Sequence, residues 1–282
     1  MTKRPDLNHF WTAIHVSEGM NLPLEAVLER EYFGLASSAL AQYSAWSRLT
    51  AQNLAAAYLA RPGYFLTLRE RPDQLEPLFD LQPLFARLKT LLPDAVSARV
   101  HLLMGDFSCA GTVGPGSILL GLEFLPAENV RHLAPSGVTL LDANQLPAVL
   151  AHELIHVQQL ERFPDLGAEV PHLTLLQLAL LEGAAEYLGA LLSGQRANRE
   201  VHSYGVSHAE ELWPLFWAQA DAPDWSDWFY SVPAWPGLLG DLGYFMGYEL
   251  CRAHHERHAS EQTVIADIVQ SFRTPERFRA LL

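Results

Sequence analysis

The chain has 282 residues, a formal net charge of −13, and 49% hydrophobic against 18% charged residues. This length allows a sizeable core, and this composition excludes a disordered chain or a coiled coil. An acidic surface repels phosphate groups, so we expect no nucleic acid among the partners. Two cysteines are too few for a disulfide framework.

The N-terminal residues predict a cytoplasmic protein. No apolar run follows Met1 to Pro5, so the pattern of a secretory signal is missing. Secretion is the alternative if a leader has been removed. The segment from Leu173 to Leu192 has about the length of a membrane span, but Glu182 and Glu186 lie near its middle. Because central carboxylates are costly in lipid, we expect a buried helix and no stable membrane insertion.

Apolar residues in the N-terminal third recur at helical spacing. The pattern predicts two helices from Leu24 to about Ala60, broken near Gly34, and another helix from Asp73 to Leu91. The remaining chain returns to helical spacing at about Gln145. Breaks in it are expected around residues 164–171, 195–205 and 222–237.

Short β-rich runs lie between these helical parts. The segments from Arg99 to Met104 and from Ser117 to Phe124 are predicted strands, and Val138 to Leu141 is a candidate third strand. We also expect the strand from Ser117 to offer its edge to an extended peptide.

The predicted elements indicate an α+β fold that is predominantly helical with a small β-sheet. No long polar linker divides the chain, so we expect one domain over residues 1–282. Its parts are helices to about residue 95, a small sheet at about 97–142, and helices from about 143 onward.

The motif that carries chemistry is His152-Glu153-Leu154-Ile155-His156, within a predicted helix from Leu146 to Phe163. Histidines four residues apart share one helix face, so both imidazoles can reach one metal ion. Glu153 lies about 100° around the helix from His152, where it can meet a metal-bound water.

A third ligand is expected from the apolar segment that follows. Glu182 and Glu186 are the only charged residues from Leu173 to Leu192, and they lie one turn apart. A carboxylate in such a helix needs a cation or strong donors. Zinc would satisfy Glu182, and the outer N–H of a ligating histidine would satisfy Glu186.

These residues resemble the gluzincin metallopeptidases. The motif H-E-x-x-H followed by Glu182-Gly183-Ala184-Ala185-Glu186-Tyr187 is similar to theirs over about Ala143 to Leu192. The segments from Gly105 to Glu123 and from Gly243 to Glu249 are similar to uncharacterised bacterial proteins described as predicted zinc-dependent proteases. The resemblance implies a gluzincin-like core with an active-site helix.

Two positions depart from related motifs. Gln158 occupies a place that is usually apolar, and Gln159 stands where the metzincin glycine would be. Because no third histidine follows either, the metzincin alternative fails.

The resemblance also implies a mechanism and its residues. His152, His156 and Glu182 would hold Zn²⁺, and Glu153 would act as general base in the hydrolysis of a peptide or protein substrate. Candidate donors to the oxyanion are Tyr244 and Tyr248, in the region where aminopeptidase-type gluzincins place such a tyrosine.

Arg252, one turn beyond Tyr248, is the reserve candidate for the oxyanion. His254 and His258 also have metal-ligand spacing, but no buried carboxylate accompanies them, so we expect a solvated face there.

Other functions remain open from the sequence. The same site would suit a zinc hydrolase of non-peptide amides, or a zinc-stabilised binding protein without turnover. A helical scaffold without metal is a more distant alternative. The sequence determines neither the oligomeric state nor the cleavage specificity.

Overall fold

A computed structural model of the protein describes residues 4–230 and 239–279. These residues are predominantly helical and include one three-stranded sheet, so the α+β class is confirmed. They form two compact units, the first made of residues 4–81 and 98–146 and the second of residues 82–97 and 147 onward. The single domain expected from the sequence stays a prediction.

The first unit contains six helices and the sheet. The helices are α1 (Pro5–Met20), α2 (Leu24–Leu28), α3 (Ser38–Ser47), α4 (Ala51–Ala60), α5 (Pro62–Thr67) and α6 (Arg71–Leu75). The strands are β1 (Arg99–Leu103), β2 (Gly111–Gly114) and β3 (Ser117–Gly121).

The described part of the second unit is helical. Its helices are α7 (Gln82–Leu91), α8 (Leu146–Arg162, whose first residue falls in the first unit), α9 (Leu166–Glu169), α10 (Leu175–Ser193), α11 (Arg199–Ser207), α12 (Ala209–Gln219), α13 (Leu242–Arg257), α14 (Val264–Val269) and α15 (Glu276–Arg279).

Several helix boundaries differ from the predictions. The break near Gly34 is present, but a second break follows at Arg48, which adopts a left-handed conformation with φ of 56°. The predicted helix from Asp73 to Leu91 is interrupted at Asp80, whose backbone is extended, three residues before Pro83. Pro83 lies in the first turn of α7, where its missing N–H is harmless, so the chain can restart its helix there.

Four of the described helices lie where none was predicted. Helix α1 precedes the first predicted helix, and α5 follows the predicted end at Ala60. Helix α9 lies in the expected break at residues 164–171, and α11 occupies most of the one at residues 195–205. Gly205 lies inside α11, and glycine weakens the helical signal of a short segment.

The sheet corrects two predictions about strands. Its order is β1-β3-β2, with β1 parallel and β2 antiparallel to β3. Because β3 is paired on both sides, its edges are unavailable to a peptide. The third strand is β2 (Gly111–Gly114), which lies between the two predicted strands where none was predicted, whereas residues 138–141 form no strand. The glycines at both ends of β2 lower the strand propensity of its sequence.

A buried carboxylate holds the loop after β1 in the first unit. Glu123 is 0% exposed and accepts a hydrogen bond from the backbone N–H of Gly105 at 2.9 Å. Phe107, with a positive φ of 70°, directs its N–H toward the same carboxylate at 3.4 Å. Burial raises the pKa of Glu123 to about 7, and these backbone donors oppose the rise.

Helix α10 forms the core of the second unit. Thr174 and Gln177 form a capping box at its start, and Gly194 ends it in the left-handed conformation. It is the one described helix with the length and apolar character to cross a membrane, and 83% of its most apolar window is buried inside the protein. This burial agrees with the expectation of a core helix.

Glycines allow α13 to cross α10 at close range. A Cβ atom on Gly247 would overlap the carbonyl oxygen of Ala179, and one on Gly183 would overlap the backbone of Gly247. The two backbones are therefore in contact at this point, with no side chain between them.

His254 on α13 corrects the expectation of a solvated face. The residue is 1% exposed, neither ring nitrogen has a hydrogen-bond partner among the described residues, and the ring stacks on Phe278 at 4.5 Å. Burial lowers its pKa to about 4, and the positive charges of His258 and Arg277 add to this, against a smaller opposing effect of Asp267.

We expect Gly247→Ala to lower the free energy of unfolding by about 1–3 kcal/mol, because the added methyl group forces the crossing helices apart. Urea unfolding measures this change. Gly19→Ala is the matched control, since Gly19 in α1 has open space around its Cα atom. The control should be neutral or slightly stabilising. Equal stability of both variants would contradict the close crossing.

We expect His254 to make stability depend on pH. Its pKa of about 4 in the folded protein lies below the ordinary 6.5, so the unfolded chain takes up the proton first. Stability is then complete above about pH 6.5 and falls as pH drops toward 4, by up to about 3 kcal/mol.

Unfolding of His254→Phe, measured at pH 4 to 7, should show a shallower pH slope than the native protein. His132→Phe, at an exposed position, should keep the native slope. A native slope in His254→Phe would contradict the assignment.

Candidate metal centre

The helix predicted from Leu146 is present as α8, ending at Arg162. It presents His152 and His156 one turn apart, and their ring centroids are 4.7 Å from each other. Gln158 anchors the same helix, because its side-chain amide exchanges hydrogen bonds with the backbone of Val96 at 2.7 and 2.9 Å. Gln158 is therefore a buried amide at a position expected to be apolar, and its hydrogen bonds hold α8 against the backbone of Val96.

Helix α10 places two carboxylates beside these histidines. Glu182 is 7% exposed and Glu186 is 1% exposed, and both side chains face α8. Gly189 on α10 permits the close approach, since a Cβ atom there would lie 3.0 Å from the backbone nitrogen of His152.

Three potential ligand atoms converge at one point. The Nε2 atoms of His152 and His156 are 3.0 Å apart. The Oε2 atom of Glu182 lies 3.1 Å from Nε2 of His156 and 3.4 Å from Nε2 of His152. Side-chain exposures of 9–14% leave this point in contact with solvent.

The outer nitrogen of each histidine faces an acceptor. His156 donates from Nδ1 to the side-chain oxygen of Gln159 at 2.7 Å, and the amide nitrogen of Gln159 donates to Leu181 O at 3.0 Å. Nδ1 of His152 lies 3.3 Å from Oε1 of Glu186, within ion-pair distance but out of hydrogen-bond alignment. Both rings are thereby oriented with Nε2 toward the shared point.

The pKa values reflect this clustering. Burial favours neutral His152, but the adjacent carboxylates of Glu182 and Glu186 outweigh it and raise its pKa well above the ordinary value. Conversely, burial would raise the pKa of Glu182, yet both histidines hold it far below the usual range. The site therefore keeps a negative charge on Glu182 beside two imidazoles.

The donor set fits a zinc ion. Two imidazoles and one carboxylate are typical of a catalytic zinc site. Tetrahedral ligands about 2.0–2.1 Å from one zinc stand about 3.3–3.4 Å from each other. The observed separations of 3.0 to 3.4 Å are close to that value. His152, His156 and Glu182 can therefore hold a metal ion.

Glu153 is half-buried beside this point. Burial raises the pKa of its carboxyl group, while His152 and His156 oppose the rise, and Glu182 adds to it. Glu153 is thus coupled electrostatically to the three converging residues and is not one of them.

The two predicted tyrosines lie in different surroundings. The ring centroid of Tyr244 is 6.2 Å from that of His152. The ring of Tyr248 instead packs edge-on against His202 and Tyr187, at 4.5 and 5.3 Å. The two tyrosines are one turn apart on α13, yet they have different neighbours.

Arg252 takes part in a surface ion-pair network. Its guanidinium group contacts Glu249 at 2.7 Å and Glu256 at 2.6 Å. The guanidinium group of Arg252, the reserve candidate for the oxyanion, is therefore already paired with two carboxylates.

Tyr230 is a site residue that the sequence did not reveal. Its hydroxyl group donates to Oε1 of Glu182 at 3.1 Å, on the oxygen that does not face the histidines. It also shares a hydrogen bond with Tyr244. Tyr230 lies 48 residues beyond Glu182 in an aromatic segment, so no local spacing pointed to it.

Comparison with known proteins adds one finding. Residues 136–270, just under half of the chain, match a family described as "Predicted Zn-dependent protease". No curated protein and no solved structure matches the chain. The matched range contains the three potential ligands and Glu153, and the chain is thus similar to a predicted zinc-dependent protease family in the part that carries the metal centre.

Proposed function

We propose that this protein is a zinc-dependent peptidase of the gluzincin type, with His152, His156 and Glu182 as zinc ligands and Glu153 as general base. The observation that carries the proposal is the convergence of the three ligand atoms within 3.4 Å of each other. The match to a predicted zinc-dependent protease family supports it. Glutamate as the third ligand favours the gluzincin type over the metzincins.

When bound, zinc polarises a carbonyl oxygen and lowers the pKa of a coordinated water. Glu153 accepts the proton of the attacking water on its carboxylate and delivers it to the leaving nitrogen. Burial suits Glu153 to this exchange, since a raised pKa makes the carboxylate a better proton acceptor. His152 and His156 keep their rings oriented through Glu186 and Gln159 while this happens.

Tyr244 supplies the hydroxyl donor that the oxyanion needs, and the hydroxyl group of Tyr230 holds Oε1 of Glu182. Burial raises the pKa of the Tyr244 phenol well above the ordinary value, and the charge of Glu182 adds to the rise. The Tyr244 hydroxyl group therefore stays protonated at neutral pH and can donate. Tyr248, the other predicted donor, packs against His202.

The substrate in this proposal is a peptide or protein, and the location is the cytoplasm. The acidic surface supports the exclusion of nucleic acid.

We expect one zinc per chain in protein purified without a metal-affinity tag, measured by plasma mass spectrometry. His152→Ala should lose the zinc, because two remaining ligands hold the ion weakly. His132→Ala removes an exposed histidine and should retain it. Absence of zinc from the native protein, after zinc is offered at neutral pH, would overturn the proposal.

We expect Glu153→Gln to abolish peptide hydrolysis, by at least about 100-fold, while zinc content stays at one per chain. The amide keeps the shape of the side chain but cannot accept the proton. Glu161→Gln is the matched control, because Glu161 is exposed on the same helix.

A peptide library and a panel of non-peptide amides serve as substrates in this assay. Normal cleavage of peptides by Glu153→Gln would contradict the role of the general base. Hydrolysis confined to the non-peptide panel would replace the peptidase with another zinc amidohydrolase. A zinc-loaded native protein without turnover would indicate a binding protein.

A further inference from the structure

Two residues beyond α10 surround the carboxylate of Glu186. Asn198 donates from its amide nitrogen to Oε1 at 2.6 Å. Nε2 of His202 lies 3.2 Å from Oε2. The Glu186 side chain is 0% exposed and that of His202 is 1% exposed, so the contacts are shielded from water. Each carboxylate oxygen therefore has its own partner from α11 and the residue that precedes it.

The side chain of Asn198 binds Glu186 instead of capping its own helix. It stands at the N-cap of α11, where asparagine commonly binds a backbone N–H, yet its side chain makes no such bond. His202 follows one turn later, and its backbone N–H donates to the carbonyl oxygen of Asn198 at 3.1 Å. The first turn of α11 thus presents two side-chain donors to one carboxylate.

The surroundings of His202 determine which nitrogen carries the proton. Nδ1 is buried and has no hydrogen-bond partner among the described residues. A proton on Nδ1 alone would be an unpaired buried donor and would leave Nε2 unable to donate. The neutral ring with its proton on Nε2 avoids both costs and donates to Oε2 of Glu186.

Helix α13 holds the His202 ring in this orientation. Tyr248 packs edge-on against it at 4.5 Å, and Phe245 does so at 5.9 Å. The guanidinium group of Arg196 lies 4.8 Å above the ring of Tyr248. Tyr248 therefore contacts a residue that contacts Glu186.

We propose that Asn198 and His202 are positioning residues for the metal centre, acting through Glu186. By holding both oxygens of the Glu186 carboxylate, they keep Oε1 beside Nδ1 of His152 and so direct Nε2 of that ring toward the ligand point. This inference rests on the proposed zinc site and adds the residues that orient one of its ligands.

The test compares zinc affinities by competition with a chromophoric chelator. His202→Phe keeps an aromatic ring in the packing but removes the donor, and we expect it to weaken zinc binding about 10-fold to 100-fold. His202→Gln restores a side-chain N–H, and we expect its affinity within about 5-fold of the native value. His208→Phe, at the end of α11, is the matched control, because that ring stacks on Tyr204 instead.

Two further measurements separate positioning from general stability. The visible absorption of bound Co²⁺ reports coordination geometry and should change in His202→Phe but not in His202→Gln. Urea unfolding of the metal-free proteins shows whether the fold is intact. Should His202→Phe fail to fold, Asn198→Ala at the half-buried start of α11 replaces it, with an expected loss of about 10-fold.

The outcomes distinguish this inference from the proposed function. A native protein without zinc overturns the proposed site itself. A native protein with one zinc, and a folded His202→Phe of unchanged affinity, overturns the positioning role alone. Equal losses of zinc affinity in His202→Phe and His202→Gln also overturn it, because the hydrogen bond from His202 to Glu186 would then not determine the affinity.

Discussion

Two carboxylates on one apolar helix constrain the arrangement of the second unit. Glu182 and Glu186 are nearly fully buried on α10, where an unpaired charge costs several kcal/mol. Helix α8 contributes two histidines to Glu182, and α11 contributes Asn198 and His202 to Glu186. A metal ion held by the two histidines and Glu182 would complete the compensation at Glu182. At Glu186 the donors come from the chain itself, and this carboxylate needs no ion of its own.

The close crossing of α10 and α13 determines which side chains reach each carboxylate. Gly183 lies between the two glutamates, and the backbone of Gly247 contacts it directly. With no side chains to separate the helices, the tyrosines on either side of Gly247 lie against different neighbours. Tyr244 packs near His152, and Tyr248 packs on the His202 ring. The contact between Gly183 and Gly247 thus leaves the two tyrosines of α13 with different neighbours.

Burial alone does not determine whether a glutamate keeps its negative charge. Glu123 in the first unit is as buried as Glu186, but backbone N–H groups of the following loop are its donors, and its pKa is raised to about 7. Histidines beside Glu186 instead lower its pKa to about 2, against the effect of burial. The partners of a buried carboxylate, rather than its depth, therefore determine whether it keeps a negative charge beside a histidine.

The sequence by itself determined that the protein is mainly helical and that one helix carries H-E-x-x-H. It also determined that the two glutamates of the apolar helix need a cation or hydrogen-bond donors. These follow from local spacing and from the cost of a buried charge, which are properties of neighbouring residues. The tertiary structure alone decided that β3 is the central strand, that His254 is buried, and that Tyr230, Gln159 and His202 surround the centre. Tyr230 and His202 are distant in sequence from the residues they contact, and the role of Gln159 depends on a backbone oxygen of another helix. Such contacts depend on how helices cross, which no periodicity within one segment records.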